Sequence, residues 1–295
     1  MITAHLMGGL GNQMFQLFCG MAVSLRNDRP FVLLSTYLRN FNGRDDRPTY
    51  WDTMFSGLCR YIKFAVTLPD IYTIREPSFS YTPITMGPIL LGRNIMINGY
   101  YQSEKYFKDQ FDQIYHICKF EGMRIKILEK YLKSRPLTMD HTISMHFRLG
   151  DYKNLTHIHP IMSYEYYCNS LIHILNNLEE RGSEGLYKVL YFCEDEDIPI
   201  VSGVIDKMSQ KFGHRCVFER ADPSYADWEQ MLLMSCCEHH IIANSSFSWW
   251  GAYLNRNPTK IVCYPSVWFG PHANHDTRDL CPPEWIPIQL RFNCA

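Results

Sequence analysis

The sequence predicts an α/β protein built from two Rossmann-like, doubly wound domains, and three observations carry that prediction. Short apolar runs of strand length alternate with segments of helical period through both halves. The chain opens on a strand (Ile2 to Leu6), a glycine-rich turn (Gly8-Gly9-Leu10-Gly11-Asn12-Gln13) and a helix marked by Met14, Phe15, Leu17, Phe18 and Met21. A chain of 295 residues with 46% hydrophobic content fills two cores of about 100 to 150 residues each. The expected division is an N-terminal domain at 1–138, closed by the Ser134-Arg135-Pro136 break, and a C-terminal domain at 139–295 whose tail returns across the lobes. The active site is expected in the cleft between the two, because ligands of open α/β sheets bind at the carboxyl ends of the strands.

The elements follow in order. Gly8, Gly9 and Gly11 let the backbone approach a ligand, although their spacing is not that of a dinucleotide fingerprint. Phe31 to Leu34 read as a strand and Tyr37 to Tyr50 as a polar, aromatic loop suited to sugar contacts. Asn94 to Asn98 read as a strand, with a helix starting near Ser103 and amphipathic helices from Gln113 to Lys133. In the second half Thr142 to Met145 form a buried strand ending in His146-Phe-Arg148-Leu-Gly-Asp151. A helix from Tyr164 to Arg181 and a strand from Lys188 to Cys193 come next. The acidic run Glu194 to Asp197 precedes a helix from Ile198 to Phe212 and offsets its dipole. A strand from Cys216 to Phe218, a helix from Tyr225 to Cys237 and a strand from His239 to Ala243 lead to the elbow Asn244-Ser245-Ser246. The helix from Phe247 to Asn255 and the strand from Lys260 to Tyr264 close the pattern before a tail rich in Pro and aromatics.

Composition narrows the function. A formal net charge of -1 and a pI of about 6.8 exclude a global field for nucleic acid or anionic membrane, so an anion must be met by a local site. Eleven cysteines form no C-x-x-C pair and read as buried thiols in a reducing compartment. No stretch has the length and apolarity of a membrane span, and Met1 to Leu10 lack the features of a signal peptide, so a cytoplasmic protein is expected. The sequons at Asn154 and Asn244 are then accidental.

Two places suit an anion. Arg148 leaves the carboxyl end of a strand with a rigid fork of donors, and Asp151 is placed to hold it. The Ser245-Ser246 elbow opens a helix whose N–H groups and hydroxyls suit a phosphate. Two convergent anion sites suggest a diphosphate and hence a nucleotide-diphosphate donor. His157 and His159 share one loop with no carboxylate or thiolate partner nearby, so no metal site is expected there.

Four motifs, G-G-L-G-N-Q-M-F-Q at Gly8 to Gln16, G-Y-Y-Q-S-E-K-Y-F at Gly99 to Phe107, H-F-R-L-G-D-Y at His146 to Tyr152 and N-S-S-F-S-W-W-G-A at Asn244 to Ala252, resemble those of glycosyltransferase family 11, the α-1,2-fucosyltransferases. S-Y-E-Y-Y at Ser163 to Tyr167, L-M-S-C at Leu233 to Cys236 and K-I-V-C-Y-P-S-V-W-F at Lys260 to Phe269 extend the resemblance over nearly the whole chain. One departure is Leu149, where the family often has a second Arg. The resemblance implies a GT-B-like fold, GDP-β-L-fucose as donor with no metal or other cofactor required, and inverting transfer to the 2-hydroxyl of a galactose-containing acceptor.

Carried over, Arg148 binds the pyrophosphate; by analogy with more distant fucosyltransferases, Ser245, Ser246 and Phe247 lie along the phosphates, with His146 and Asn244 beside them, and Asp227 pairs with guanine. Gly11, Asn12 and Gln13 meet the fucose or the β-phosphate. Asp151 and His159 are the candidates for the base that deprotonates the acceptor, Asp151 also being placed to buttress Arg148. Two alternatives stay open: a transferase of the same build with another nucleotide sugar, and a catalytically inactive glycan-binding protein.

Overall fold

The computed structural model describes residues 1–34, 50–63, 68–90, 92–134, 139, 141–183 and 185–290. The Tyr37–Thr49 stretch and the Arg135-Pro136 break, which the sequence reading used, lie outside them. The chain divides into two compact units, one of residues 1–123 and 275–282 and one of residues 124–274 and 283–295.

In the first unit β1 (Ile2–Ala4) runs into α1 (Leu10–Arg26) through the glycine turn. The helix is buried on most faces, from Leu10 and Gly11 through Val23, which is why its apolar residues exceed a single stripe. β2 (Leu33–Leu34) pairs parallel with β3 (Ile62–Lys63), while β4 (Ile71–Arg75) and β5 (Asn94–Asn98) complete a parallel sheet of order β1-β5-β4. The helix expected near Ser103 is instead a pair of 3-10 turns, Glu104–Tyr106 and Lys108–Gln110, with Ser103 Oγ accepting from the Lys105 amide. The amphipathic stretch beyond is two helices, α2 (Phe111–Ile117) and α3 (Phe120–Ser134), because Lys119 sits at a φ of +60° that no α-helix tolerates.

The division between units falls at Met123, within α3, and not at 138. The cause is local. Arg124 donates to Ser235 Oγ and to its carbonyl, and Lys130 pairs with Glu229, so α3 is anchored to the second unit from Arg124 onward.

The second unit is a six-stranded, all-parallel sheet. Its elements are β6 (Thr142–His146), α4 (Tyr164–Glu180), β7 (Tyr187–Phe192), α5 (Ile198–Phe212), β8 (Cys216–Arg220), α6 (Asp227–Ser235), β9 (His239–Ile241), α7 (Ser246–Tyr253), β10 (Val262–Pro265) and β11 (Ile286–Ile288). The strand order is β11-β10-β9-β6-β7-β8. Numbered from the unit's first strand this is 3-2-1-4-5-6 read from the β8 edge, the doubly wound Rossmann order.

Such a sheet is covered on both faces, so β6 and β9 are buried at every position. Ile143, Met145, Val189, Ile241 and Cys263 pack with Tyr166, Leu171 and Ile174 of α4 and Val201 and Met208 of α5. A polar pair sits in this sheet: Asn255 Nδ2 donates to His240 Nε2 at 2.8 Å, so Nδ1 carries the proton and donates to Ser144 Oγ at 2.7 Å.

The chain reverses direction across the sheet between β6 and β9, which pair in register Ile143 with His239 and Met145 with Ile241. That switch point is where an open α/β sheet leaves a crevice outside its carboxyl ends. No helix among the described residues is long and apolar enough to cross a membrane, and no disulfide joins the described cysteines.

Candidate functional site

The residues that leave β6 and β9 meet at the switch point of the second unit. After β6, the Phe147 amide donates to the Phe192 carbonyl of β7 at 2.8 Å, which carries the sheet register one step further and directs Arg148 out of its end. The Arg148 side chain is 21% exposed. Its Nη2 meets Asp151 at 2.5 Å, its Nη1 meets Glu194, and its Cζ stands over the Tyr152 ring at 5.2 Å from the centroid. Burial opposes the guanidinium's charge, but the carboxylates of Glu194 and Asp151 outweigh that and raise its pKa.

The turn that follows is held from below. Gly150, at a φ of +34°, donates its amide to Asp197 Oδ2 at 3.0 Å, and Lys153 pairs with Asp197 at 2.5 Å. Asp197 is fully buried. The acidic run after β7 therefore does more than face the α5 dipole: Glu194 holds Arg148, Asp195 pairs with Arg220, and Asp197 anchors the turn.

After β9 comes the elbow. Asn244 is 1% exposed, and its amide donates at 3.0 Å to both the Pro160 and Trp268 carbonyls. Its side-chain N–H groups are thus engaged in tying two loops to the elbow. Ser245 is the N-cap of α7, its Oγ accepting from the Phe247 amide at 3.3 Å. Ser246 opens the helix, and the Phe247 ring lies 5.4 Å from that of His146.

His146 is buried, with Nδ1 lacking a hydrogen-bond partner among the described residues. Burial, with Arg148 second, lowers its pKa to about 3, so the ring is neutral. His159 stacks on Tyr152 with centroids 4.3 Å apart and planes 13° apart, and its other neighbour is Phe269 at 5.6 Å.

The site residues read from the sequence thus fall into three places. His146, Arg148, Asp151, His159, Asn244, Ser245, Ser246 and Phe247 surround the switch point of the second unit. Asp227 is the exposed first residue of α6, its carboxylate accepting from the Trp228 amide at 2.7 Å. Gly11, Asn12 and Gln13 belong to the first unit, at the start of α1. There Gln13 Nε2 donates to the Gly8 carbonyl at 3.0 Å and Asn12 Oδ1 accepts from Gln102 Nε2 at 2.8 Å, so two of the sequence motifs meet in one hydrogen bond. Gly9 is the N-cap of α1 and offers its first N–H groups no side chain.

Tyr152, Gly150, Glu194 and Asp197 were not singled out as site residues from the sequence. Only Tyr152 and Gly150 lie inside a motif. Among the described residues no group of three or more His, Cys, Asp or Glu is placed to hold a metal ion.

Residues 89–289 match the family model described as Glycosyl transferase family 11. The chain is 28% identical over 309 residues to an Escherichia coli α-1,2-colitosyltransferase, covering 98% of this chain and 99% of that protein. It is 24% identical over 322 residues to the Escherichia coli O-antigen biosynthesis glycosyltransferase WbnK, covering 96% of this chain and 99% of that one. Among solved structures, a mutant of Arabidopsis thaliana FUT1 in complex with GDP shares the fold at a TM-score of 0.50 and 11% identity, over 95% of this chain and 74% of that chain. The fold is GT-B-like.

Proposed function

Because the chain belongs to glycosyl transferase family 11, we propose that this glycosyltransferase moves L-fucose from GDP-β-L-fucose, with inversion and without a divalent ion, to the 2-hydroxyl of a galactose residue in a glycan. The observation that carries this reading is the pairing at the switch point: Arg148 follows β6, and the amino end of α7 follows β9, the strand paired with β6.

Breaking the bond between fucose C1 and oxygen builds negative charge on the departing GDP. Arg148 has five donors and uses some of them on Asp151 and Glu194. A diphosphate takes the remainder and competes for the rest, while the first N–H groups of α7 receive the other phosphate. A fixed donor of this kind contributes roughly 10²- to 10³-fold in rate when it behaves as an oxyanion-hole group. Asp227 pairs with the guanine. The proton of the acceptor hydroxyl goes to Asp151, whose carboxylate is half-exposed beside Arg148, or to His159.

A second reading keeps the site and changes the sugar to colitose, which lacks the 3-hydroxyl of fucose. The name of the Escherichia coli relative favours it.

The test is turnover of GDP-fucose and GDP-colitose on a galactose-terminated acceptor in the presence of EDTA, with the anomeric configuration of the product determined. An α-linked product on the 2-hydroxyl supports the proposal, and the preferred donor separates the two sugars. Asp151→Asn and His159→Gln, assayed alongside, identify the base by a loss of about 10²- to 10⁴-fold in kcat with donor binding kept. Absence of turnover with either donor, in a protein that turns over another nucleotide sugar, contradicts the reading.

A further inference from the structure

We propose that Tyr152 is the positioning residue that couples the Arg148 guanidinium to the amino end of α7, so that both grip one diphosphate. The inference deepens the donor reading above and rests on it for its kinetic consequence, but its structural content does not depend on which nucleotide sugar is used.

Tyr152 touches both halves of the anion site. Its ring lies under Arg148, the guanidinium carbon 5.2 Å from the centroid. Its hydroxyl donates at 3.2 Å to the carbonyl of Asn244, the residue before the N-cap Ser245. Because the phenol is partly buried, its pKa is raised, and it stays protonated as the donor. His159 stacks on the same ring with centroids 4.3 Å apart.

The circuit closes through the backbone. His159 precedes Pro160, and the Pro160 carbonyl accepts from the Asn244 amide at 3.0 Å. One ring therefore fixes the guanidinium, and the same side chain holds the elbow by its main-chain carbonyl while Pro160 holds it by its side chain. Cation–π contact adds the ring to the two carboxylates that hold the guanidinium, and the phenolic hydrogen bond ties that ring to the residue before the α7 N-cap. Neither function requires Tyr152 to touch the donor.

The variants are Tyr152→Phe, which keeps the ring and removes the hydroxyl, and Tyr152→Leu, which removes both. A merely structural role would lower thermal stability without changing turnover per folded molecule. The positioning role predicts folded variants in which Tyr152→Phe loses about tenfold in kcat and Tyr152→Leu about a hundredfold, with acceptor KM unchanged.

The deciding readout uses no nucleotide. In protein labelled with ¹⁵N-arginine and assigned by Arg148→Lys, the Arg148 side-chain resonances should keep their positions in Tyr152→Phe and shift and broaden in Tyr152→Leu, where only Asp151 and Glu194 still hold the guanidinium. Unchanged Arg148 resonances in Tyr152→Leu overturn the proposal. Should the leucine variant fail to fold, the amide resonances of Ser245 and Ser246 in Tyr152→Phe decide: a shift supports the coupling and unchanged positions overturn it. A wild-type protein that turns over no GDP-sugar contradicts the donor assignment and leaves these two signals to decide the role of Tyr152.

Discussion

The amide of Gly150 donates to Oδ2 of Asp197 at 3.0 Å, joining the turn after β6 to the acidic run after β7. The geometry admits little else at residue 150. Its φ is +34°, and a Cβ built there would stand 2.7 Å from Glu194 Oε2, the carboxylate that holds Arg148.

Gly150→Ala is therefore expected to displace Glu194 and loosen Arg148. The backbone strain costs about 1–3 kcal/mol, and transferase activity should fall at least tenfold, as measured by urea unfolding and turnover. Gly150→Ala combined with Glu194→Ala removes the steric part and should recover some of the stability, leaving only the strain of the dihedral.

Asp197→Ala leaves the partly buried Gly150 amide without its acceptor, while the partly exposed Lys153 ammonium turns to solvent. The expected loss is about 1–3 kcal/mol in urea unfolding, with turnover falling as the Arg148 turn loosens. Asp197→Asn keeps one acceptor oxygen and should lose less on both counts.

Three histidines of the second unit are held neutral. Burial lowers His146 to a pKa of about 3 and His239 to about 4, and it holds His240 well below the usual histidine range. The unfolded chain binds protons at these positions from about pH 6.5 downward and the folded chain does not, so stability rises with pH up to there and is lost below it. Each contributes a slope of about 1.4 kcal/mol per pH unit between its folded and unfolded pKa. Urea midpoints at pH 7.5, 6.0 and 5.0 should fall steeply toward acid; equal midpoints at all three would contradict the neutral assignment.

In the first unit Gln16 is 1% exposed, its Oε1 accepting from the Met7 amide at 2.8 Å and its Nε2 donating to the Met7 carbonyl at 3.2 Å. Gln16→Ala strips both from the backbone leading into the glycine turn. Destabilisation of about 1–3 kcal/mol is expected in urea unfolding, because the Met7 amide and carbonyl lose their partner. Gln16→Glu, which keeps only acceptors, should be intermediate.

The second unit was legible in the sequence because parallel strands buried on both faces read as continuous apolar runs, as Tyr187–Phe192 does. β4 was not, since its Tyr72, Thr73 and Arg75 leave no such run and none of its positions is fully buried. β3 is too short to leave a signal, and β11 carries Pro287, which reads against a strand and is tolerated because β11 lies at the sheet edge. Arg148 and the elbow could be read from local chemistry, a cation after a strand and hydroxyls before a helix. Glu194 and Asp197 could not, because what brings them to Arg148 and Gly150 is the adjacency of β6 and β7. In the sequence they are only acids ahead of a helix.

The central claim is that Arg148 binds the pyrophosphate of a GDP-sugar. It is tested most directly by calorimetric titration of GDP into wild-type protein, Arg148→Ala and Arg148→Lys, with UDP and ADP as controls and circular dichroism to verify the fold. Saturable GDP binding is expected in the wild type, with near-complete loss in Arg148→Ala and only partial recovery in Arg148→Lys, since a point charge cannot reproduce the fork. Undiminished GDP affinity in folded Arg148→Ala would contradict the claim.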